Sequence, residues 1–230
     1  MTDLTPYKSK VSFWSSSRPI APFLPYSPGL LLYPSLDIFD KISTINSHLY
    51  LSGLQAITPK RLQNYGVTLL ISIMPGTLPE DILSQVTTHV QVPVEDIEFT
   101  NLGIHFDALA DRIAQEARRG GRTLVHCMAG VSRSASIVLA YLIKYQKMSL
   151  AEAYDRVRSI RPCIQPNLGF WRQLIAYEEV RRGTTSMWVG PNAMPFLPFP
   201  RTMSSGLQWN HPTTSRRPRF RKHWSIVDNY

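Results

Sequence analysis

A chain of 230 residues with 43% apolar and 10% aromatic content can build one moderate domain around a real core, with room for tails. Two cysteines make no disulfide framework and suit a reducing compartment, where a lone thiol is free for chemistry. The start shows no signal-peptide pattern, and the longest apolar run, Ile137 to Ile143, is too short to span a membrane.

The net charge of +9 is unevenly spread. Residues 37–183 carry sixteen basic and fourteen acidic side chains, whereas residues 184–230 carry six and one. Twelve of the eighteen prolines also lie outside 37–183. Both divisions mark a nearly neutral domain at 37–183, which gives no reason to expect nucleic-acid binding. Residues 1–36 mix Ser, Pro and scattered aromatics without periodicity and read as a disordered arm. Pro19, Pro22, Pro25 and Pro28 speak against the amphipathic helix of a transit peptide.

Inside the domain, Ser43-Thr44-Ile45 and Leu49-Tyr50-Leu51 predict a hairpin around Asn46-Ser47. Thr58-Pro59 opens a helix that Gly66 stops. Val67 to Met74 reads as a buried strand ending at Pro75-Gly76, and His89 to Val92 as a second short strand. An acidic loop follows, Glu95-Asp96-Ile97-Glu98. The spacing of Phe106, Leu109, Ile113 and Ala117 predicts a helix over about 103–119, ended by Gly120-Gly121. Thr123 to Val125 is a short buried strand, and Ala135 to Tyr145 a helix apolar around most of its girth. Ser149-Leu150-Ala151-Glu152 is a capping box for a helix to about Ile160, broken by Arg161-Pro162. Asn167 caps the last helix, which runs to Arg182-Gly183.

Strands alternating early with helices, then consecutive helices, predict an α/β domain: a short, mixed, mainly parallel sheet flanked by helices. Residues 184–230 read as a Pro-rich, basic and largely irregular tail. Within it, Gly190 to Pro198 is apolar and could lie extended over the domain. Arg216-Arg217-Pro218-Arg219-Phe220-Arg221-Lys222 is first a solvated basic cluster, second a nuclear-import signal or a patch for acidic partners.

The chemistry concentrates between the central strand and its helix, at His126-Cys127-Met128-Ala129-Gly130-Val131-Ser132-Arg133-Ser134. A tight loop running into a helix N-terminus turns unpaired N–H groups toward one point, and the helix dipole favours an anion there. Those groups and Arg133 favour a thiolate on Cys127, the form that attacks. The Arg133 guanidinium can fork onto phosphate oxygens. Ser134 can donate its hydroxyl to the sulfur, Gly130 lets the backbone bend close, and His126 is expected to be buried with a loop-orienting hydrogen bond. Breaking a phosphoester also requires a proton for the departing oxygen. Glu95, Asp96 and Glu98 are all candidates, and chemistry alone does not choose among them.

His126-Cys127, two residues, Gly130, two residues, Arg133-Ser134 resembles the signature of the cysteine-based protein phosphatases. Val92-Pro93-Val94-Glu95-Asp96, Leu124 to Ser136, Arg161-Pro162 and Gln165-Pro166-Asn167-Leu168-Gly169-Phe170-Trp171 look more narrowly like the atypical dual-specificity phosphatases. The resemblance covers roughly residues 40–185. It implies the cysteine-based phosphatase fold, Cys127 as nucleophile, Arg133 as phosphate and transition-state ligand, and Ser134 as an aid to thiolate departure. It also implies Asp96 as general acid and Asn167 as a brace for the phosphate loop, with no cofactor or metal. The substrate phosphate would lie among Met128, Ala129, Gly130, Val131, Ser132 and Arg133. Since Met128, Ala129, Val131 and Ser132 carry no charge, a protein phosphoresidue fits better than a phosphoinositide or an RNA 5′-phosphate. A non-enzymatic reading also stands, a scaffold binding phosphoproteins or kinases through its tails. Cys163 is expected to be buried. Phosphorylated proteins, among them signalling kinases, are the expected partners, and the cytoplasm, with the nucleus added by the basic tail, the expected compartment.

Overall fold

The computed structural model describes residues 38–189. The Ser/Pro-rich arm, the Gly190 to Pro198 segment and the basic cluster lie outside the described residues. Strand β1 (Ser43–Asn46) turns back antiparallel onto β2 (Leu49–Gly53), and three parallel strands complete the sheet: β3 (Leu69–Ile73), β4 (Thr88–Val92) and β5 (Thr123–Cys127). The spatial order is β1-β2-β5-β3-β4, so the strand ending in Cys127 lies at the centre. This is the short, mixed, mainly parallel sheet expected from the sequence.

Helices cover both faces. Side-chain alternation sends Leu49, Leu51, Leu69, Ile71, Ile73, Val125 and Cys127 toward a core shared with α3 (Phe106–Arg118), α4 (Arg133–Tyr145), α5 (Leu150–Ile160) and α6 (Leu168–Arg182). Tyr50, Leu70 and Leu124 face the other way, against Leu62 of α1 (Pro59–Tyr65) and Ile82 of α2 (Glu80–Leu83). Both faces being covered, β2, β3 and β5 are buried along their whole length and are mostly apolar, without a strict apolar/polar alternation. Helix α4 is buried from Arg133 through Ile143, which explains its apolar girth. Among the described residues no helix is long and apolar enough to cross a membrane.

Three local departures have physical reasons. Strand β1 runs through Asn46, and the turn falls on Ser47-His48, because the Asn46 side-chain oxygen accepts the His48 N–H at 3.0 Å. The third helix begins as a single 3-10 turn, Gly103–His105, whose first N–H, without a partner inside the helix, is taken by Gln173. Helix α2 has only four residues, too few for a helical period to show in the sequence.

The packed chain continues past Gly183, which ends α6 in the left-handed conformation. Glu178 on α6 is fully buried, and its carboxylate accepts the Leu150 N–H, the Ser186 N–H and the Ser186 hydroxyl, each at 2.8 Å. The charge thus lies at the N-terminus of α5, where donors and dipole both favour it. This knot ties residues 184–186 down and seats Met187 in the core.

Candidate active site

The site forms at the carboxyl end of the central parallel strand, where β5 gives way to the loop 128–132 and then to α4. The loop's carbonyls are all engaged from outside it. Met128 O accepts the Leu54 N–H (2.9 Å), Ala129 O and Gly130 O accept Arg161 Nη2 and Nε (3.0 and 2.8 Å), and Val131 O accepts the Gln165 N–H (2.9 Å). A planar trans peptide points its N–H opposite to its C=O. The N–H groups of Ala129, Gly130, Val131 and Ser132 are therefore turned inward, and Gly130 N donates to Cys127 Sγ at 3.3 Å. Helices α1, α5 and α6 each carry a side-chain cap, from Thr58, Ser149 and Asn167. Ser132, at the head of α4, makes no cap hydrogen bond, so the helix's first N–H groups stay available to an anion.

Two glycines let this loop lie flat on β2. Gly130 has φ +70, and a Cβ there would stand 2.6 Å from the Gly53 nitrogen; a Cβ on Gly53 would in turn meet Ala129 at 3.0 Å.

Cys127 is 1% exposed, at the floor of the loop, and its sulfur also receives the Ser134 hydroxyl at 3.1 Å. Arg133, at the first turn of α4, is buried. Its Nη1 donates to Val94 O at 3.0 Å, and its Nε lies 3.5 Å from Asp96 Oδ2 without making a hydrogen bond among the described residues. Asp96 stands over the loop: its Oδ1 accepts the Ser132 hydroxyl (2.7 Å) and the Asn167 side-chain amide (2.8 Å). Glu95 and Glu98 are exposed, and Glu98 points instead to Arg172, 4.0 Å away. The structure thus gathers Cys127, Arg133, Ser134, Ser132 and Asp96 in one place. Met128 is exposed at the rim, and Ala129 and Val131 are half-buried.

Asn167 braces differently from the expectation. Its side-chain oxygen caps α6 through the Phe170 N–H (3.0 Å), and its side-chain nitrogen goes to the acid. Only its backbone N–H reaches the phosphate loop, at Ser132 Oγ (3.1 Å). Cys163 is half-buried, not buried, and burial pushes its thiol up.

His126 lies in the sheet rather than in the loop. Its Nδ1 is 3.3 Å from the Cys127 carbonyl, which can only accept, so Nδ1 carries the proton. Nε2 then accepts the Ser72 hydroxyl at 2.6 Å, and Ser72 accepts from His89 Nε2 at 2.8 Å. Burial drops the His126 pKa from 6.5 to about 4, so the ring is neutral near pH 7 and unsuited to acid–base work. An unfolded chain binds this proton near pH 6.5 and the folded one only near pH 4, so stability is lost as pH falls through that window. His126 alone should contribute a drop of about 3 kcal/mol between pH 7 and 4. His48 and His89, lowered by the same cause, act in the same direction. Urea denaturation of wild type and His126→Gln across that range checks it, and parallel profiles would refute the assignment.

Sequence reasoning missed Arg161. What reads as a helix-breaking Arg-Pro is a fully buried guanidinium that holds two loop carbonyls and also donates to Ile38 O, Lys41 O and Ser43 Oγ at 3.0–3.3 Å. It ties the chain entry to the phosphate loop. Desolvation lowers its pKa, yet the five acceptors compensate the cation. Ser72, beside His126 on β3, and Gly53, at the end of β2, were missed too; a Ser within an apolar strand and a Gly at the end of another were the only traces.

A thiol at the floor of an inward-facing N–H cradle, with a guanidinium at its edge, defines a cysteine-based phosphatase. The family model for the dual specificity phosphatase catalytic domain matches residues 49–180, more than half of the chain. Mouse dual specificity protein phosphatase 18 is 42% identical over 161 residues, covering 68% of this chain and 83% of that protein. Human dual specificity protein phosphatase 14 is 42% identical over 147 residues, covering 64% and 73%. The crystal structure of human DUSP28 superposes with a TM-score of 0.55 at 33% identity, over 60% of this chain and 93% of that one. The chain belongs to the dual-specificity phosphatases, as an atypical member of the cysteine-based protein tyrosine phosphatase superfamily, and is a protein phosphatase whose substrates are phosphorylated proteins.

Proposed function

We propose that this phosphatase works through a phosphocysteine on Cys127, with Asp96 as general acid and then base. The observation that carries the reading is the convergence on one sulfur of the Gly130 N–H and the Ser134 hydroxyl, in a cradle edged by the Arg133 guanidinium. The phosphoryl group enters among residues 128–133, and Arg133 turns its unbonded Nε to it. The Cys127 thiolate attacks phosphorus; as the S–P bond forms, the P–O bond breaks and Asp96 gives its proton to the departing oxygen. Water then attacks the phosphocysteine, Asp96 takes a proton from it, and the S–P bond breaks with its electrons on sulfur, steadied by Ser134. Arg133 and the loop N–H groups stabilise the charge, so no step runs through a metal.

The uncharged side chains at 128, 129, 131 and 132 support one phosphate on a protein residue over a polyphosphorylated lipid. Signalling kinases as partners, no nucleic-acid ligand, and the cytoplasm with the nucleus as compartment belong to the same proposal. They are supported by the family, the near-neutral domain, the free thiols and the basic cluster.

Arg133→Lys tests the phosphate role. Lysine keeps the charge but loses the planar fork. On a phosphotyrosyl peptide, kcat should fall about 10²–10³-fold, as when a preorganised donor to the transition state is removed. Unchanged kcat would refute it.

A further inference from the structure

The loop that carries Asp96 runs from Pro93 to Leu102 with no regular secondary structure, and a free segment of that length would not hold an acid in place. Beyond the contacts that Ser132 and Arg133 make with Val94 and Asp96, the loop is held by the N-cap and the first two turns of α6. Asn167, the cap, holds the Asp96 carboxylate. Two residues on, the Glu98 backbone lies directly against Gly169. A Cβ at Gly169 would collide with the Glu98 carbonyl oxygen and stand 2.6 Å from its carbon and 2.8 Å from its Cα. Four residues further along the same helix face, Gln173 spends both ends of its amide on the loop's exit: Nε2 donates to Thr100 O at 2.8 Å, and Oε1 accepts the Gly103 N–H at 2.6 Å. Arg172 faces Glu98 at the solvent edge.

Gly169 is the telling residue. It sits inside a helix, where glycine costs stability and gains nothing by its own conformation, and no positive φ requires it. What it does is let one backbone lie on another, directly behind the acid. We infer that Gly169 and Gln173 are positioning residues for the general acid: α6 is the template on which the Asp96 loop is laid down in its working geometry before substrate arrives. This rests on the reading of Asp96 as the acid. The energetic logic is preorganisation, since a displacement of about 1 Å in a catalytic group can cost about 10²-fold in rate.

The consequence depends on the leaving group, which a merely structural role would not. A phosphotyrosyl peptide leaves as a basic phenolate that requires the proton from Asp96. A fluorinated aryl phosphate leaves as a weakly basic phenolate that does not. Gly169→Ala makes α6 intrinsically more helical, so a loss cannot be blamed on a weakened helix. Gln173→Ala removes the second clasp without adding bulk and keeps the test open if Gly169→Ala does not fold. The wild-type protein, Gly169→Ala, Gln173→Ala and Asp96→Ala are compared on both substrates.

The expected result is a fall in kcat of about 10²-fold for Gly169→Ala on the phosphotyrosyl peptide. Gln173→Ala should show a smaller loss of the same kind. On the fluorinated ester the loss should be only a few-fold for both, in the pattern of Asp96→Ala. Equal losses on the two substrates, or no loss, overturn the positioning role while Asp96→Ala still reports the acid. If Asp96→Ala itself shows no dependence on the leaving group, the acid assignment falls and the positioning role falls with it.

Discussion

Replacing Cys127 with serine abolishes turnover, a loss on the order of 10⁴-fold or more, and leaves phosphopeptide binding intact. The sulfur is one atom at the floor of a cradle built by other residues. Its loop is held from behind through backbone carbonyls by Leu54, Arg161 and Gln165. A serine oxygen leaves those contacts alone. It also accepts the Gly130 N–H and the Ser134 hydroxyl, so the cradle keeps its shape. What it lacks is the anion. A hydroxyl in this setting has no base to take its proton, because His126 points away and is tied to Ser72 and the Cys127 carbonyl. Binding is measured by calorimetry with a phosphotyrosyl peptide, and turnover by phosphate release. Undiminished release from Cys127→Ser would remove the nucleophile from the account.

Asp96→Ala should lower kcat on phosphotyrosyl, phosphoseryl and phosphothreonyl peptides by about 10²–10⁴-fold, the usual worth of a placed acid. The position decides this. All three loop acids are exposed, but only Asp96 is tied to the phosphate loop among the described residues, through Ser132 and the Arg133 ion pair. Glu95→Ala and Glu98→Ala should therefore stay within a few-fold of wild type. A large loss in either of these with Asp96→Ala unaffected would move the acid to another residue.

Much of this arrangement was legible because it is local. The capping box at Ser149, the cap at Thr58, the left-handed stop at Gly66 and the strand-loop-helix around Cys127 each lie within a few residues and carry their own chemistry. Alternation along β2, β3 and β5 was replaced by continuous burial, and that is itself the mark of a sheet covered on both faces. What stayed hidden is long-range. Arg161 works on carbonyls thirty or more residues away and on others beyond a hundred. Gly169 matters only because Glu98 packs on it, and Ser72 only because it lies one strand over from His126. No periodicity records such pairings. The choice of Asp96 shows the boundary: three acids within four residues are equivalent as chemistry and become distinct once α6 and the phosphate loop meet around one of them.

The central claim is a covalent phosphocysteine. Ser134→Ala removes the hydroxyl that steadies the departing thiolate, so hydrolysis of the intermediate should slow and the intermediate accumulate. Mixing this variant with a phosphotyrosyl peptide, quenching in acid within the first turnover and mapping the digested protein by mass spectrometry should find one phosphoryl group, on Cys127. A phosphoryl group on another side chain, or none while product is being formed, would contradict the account.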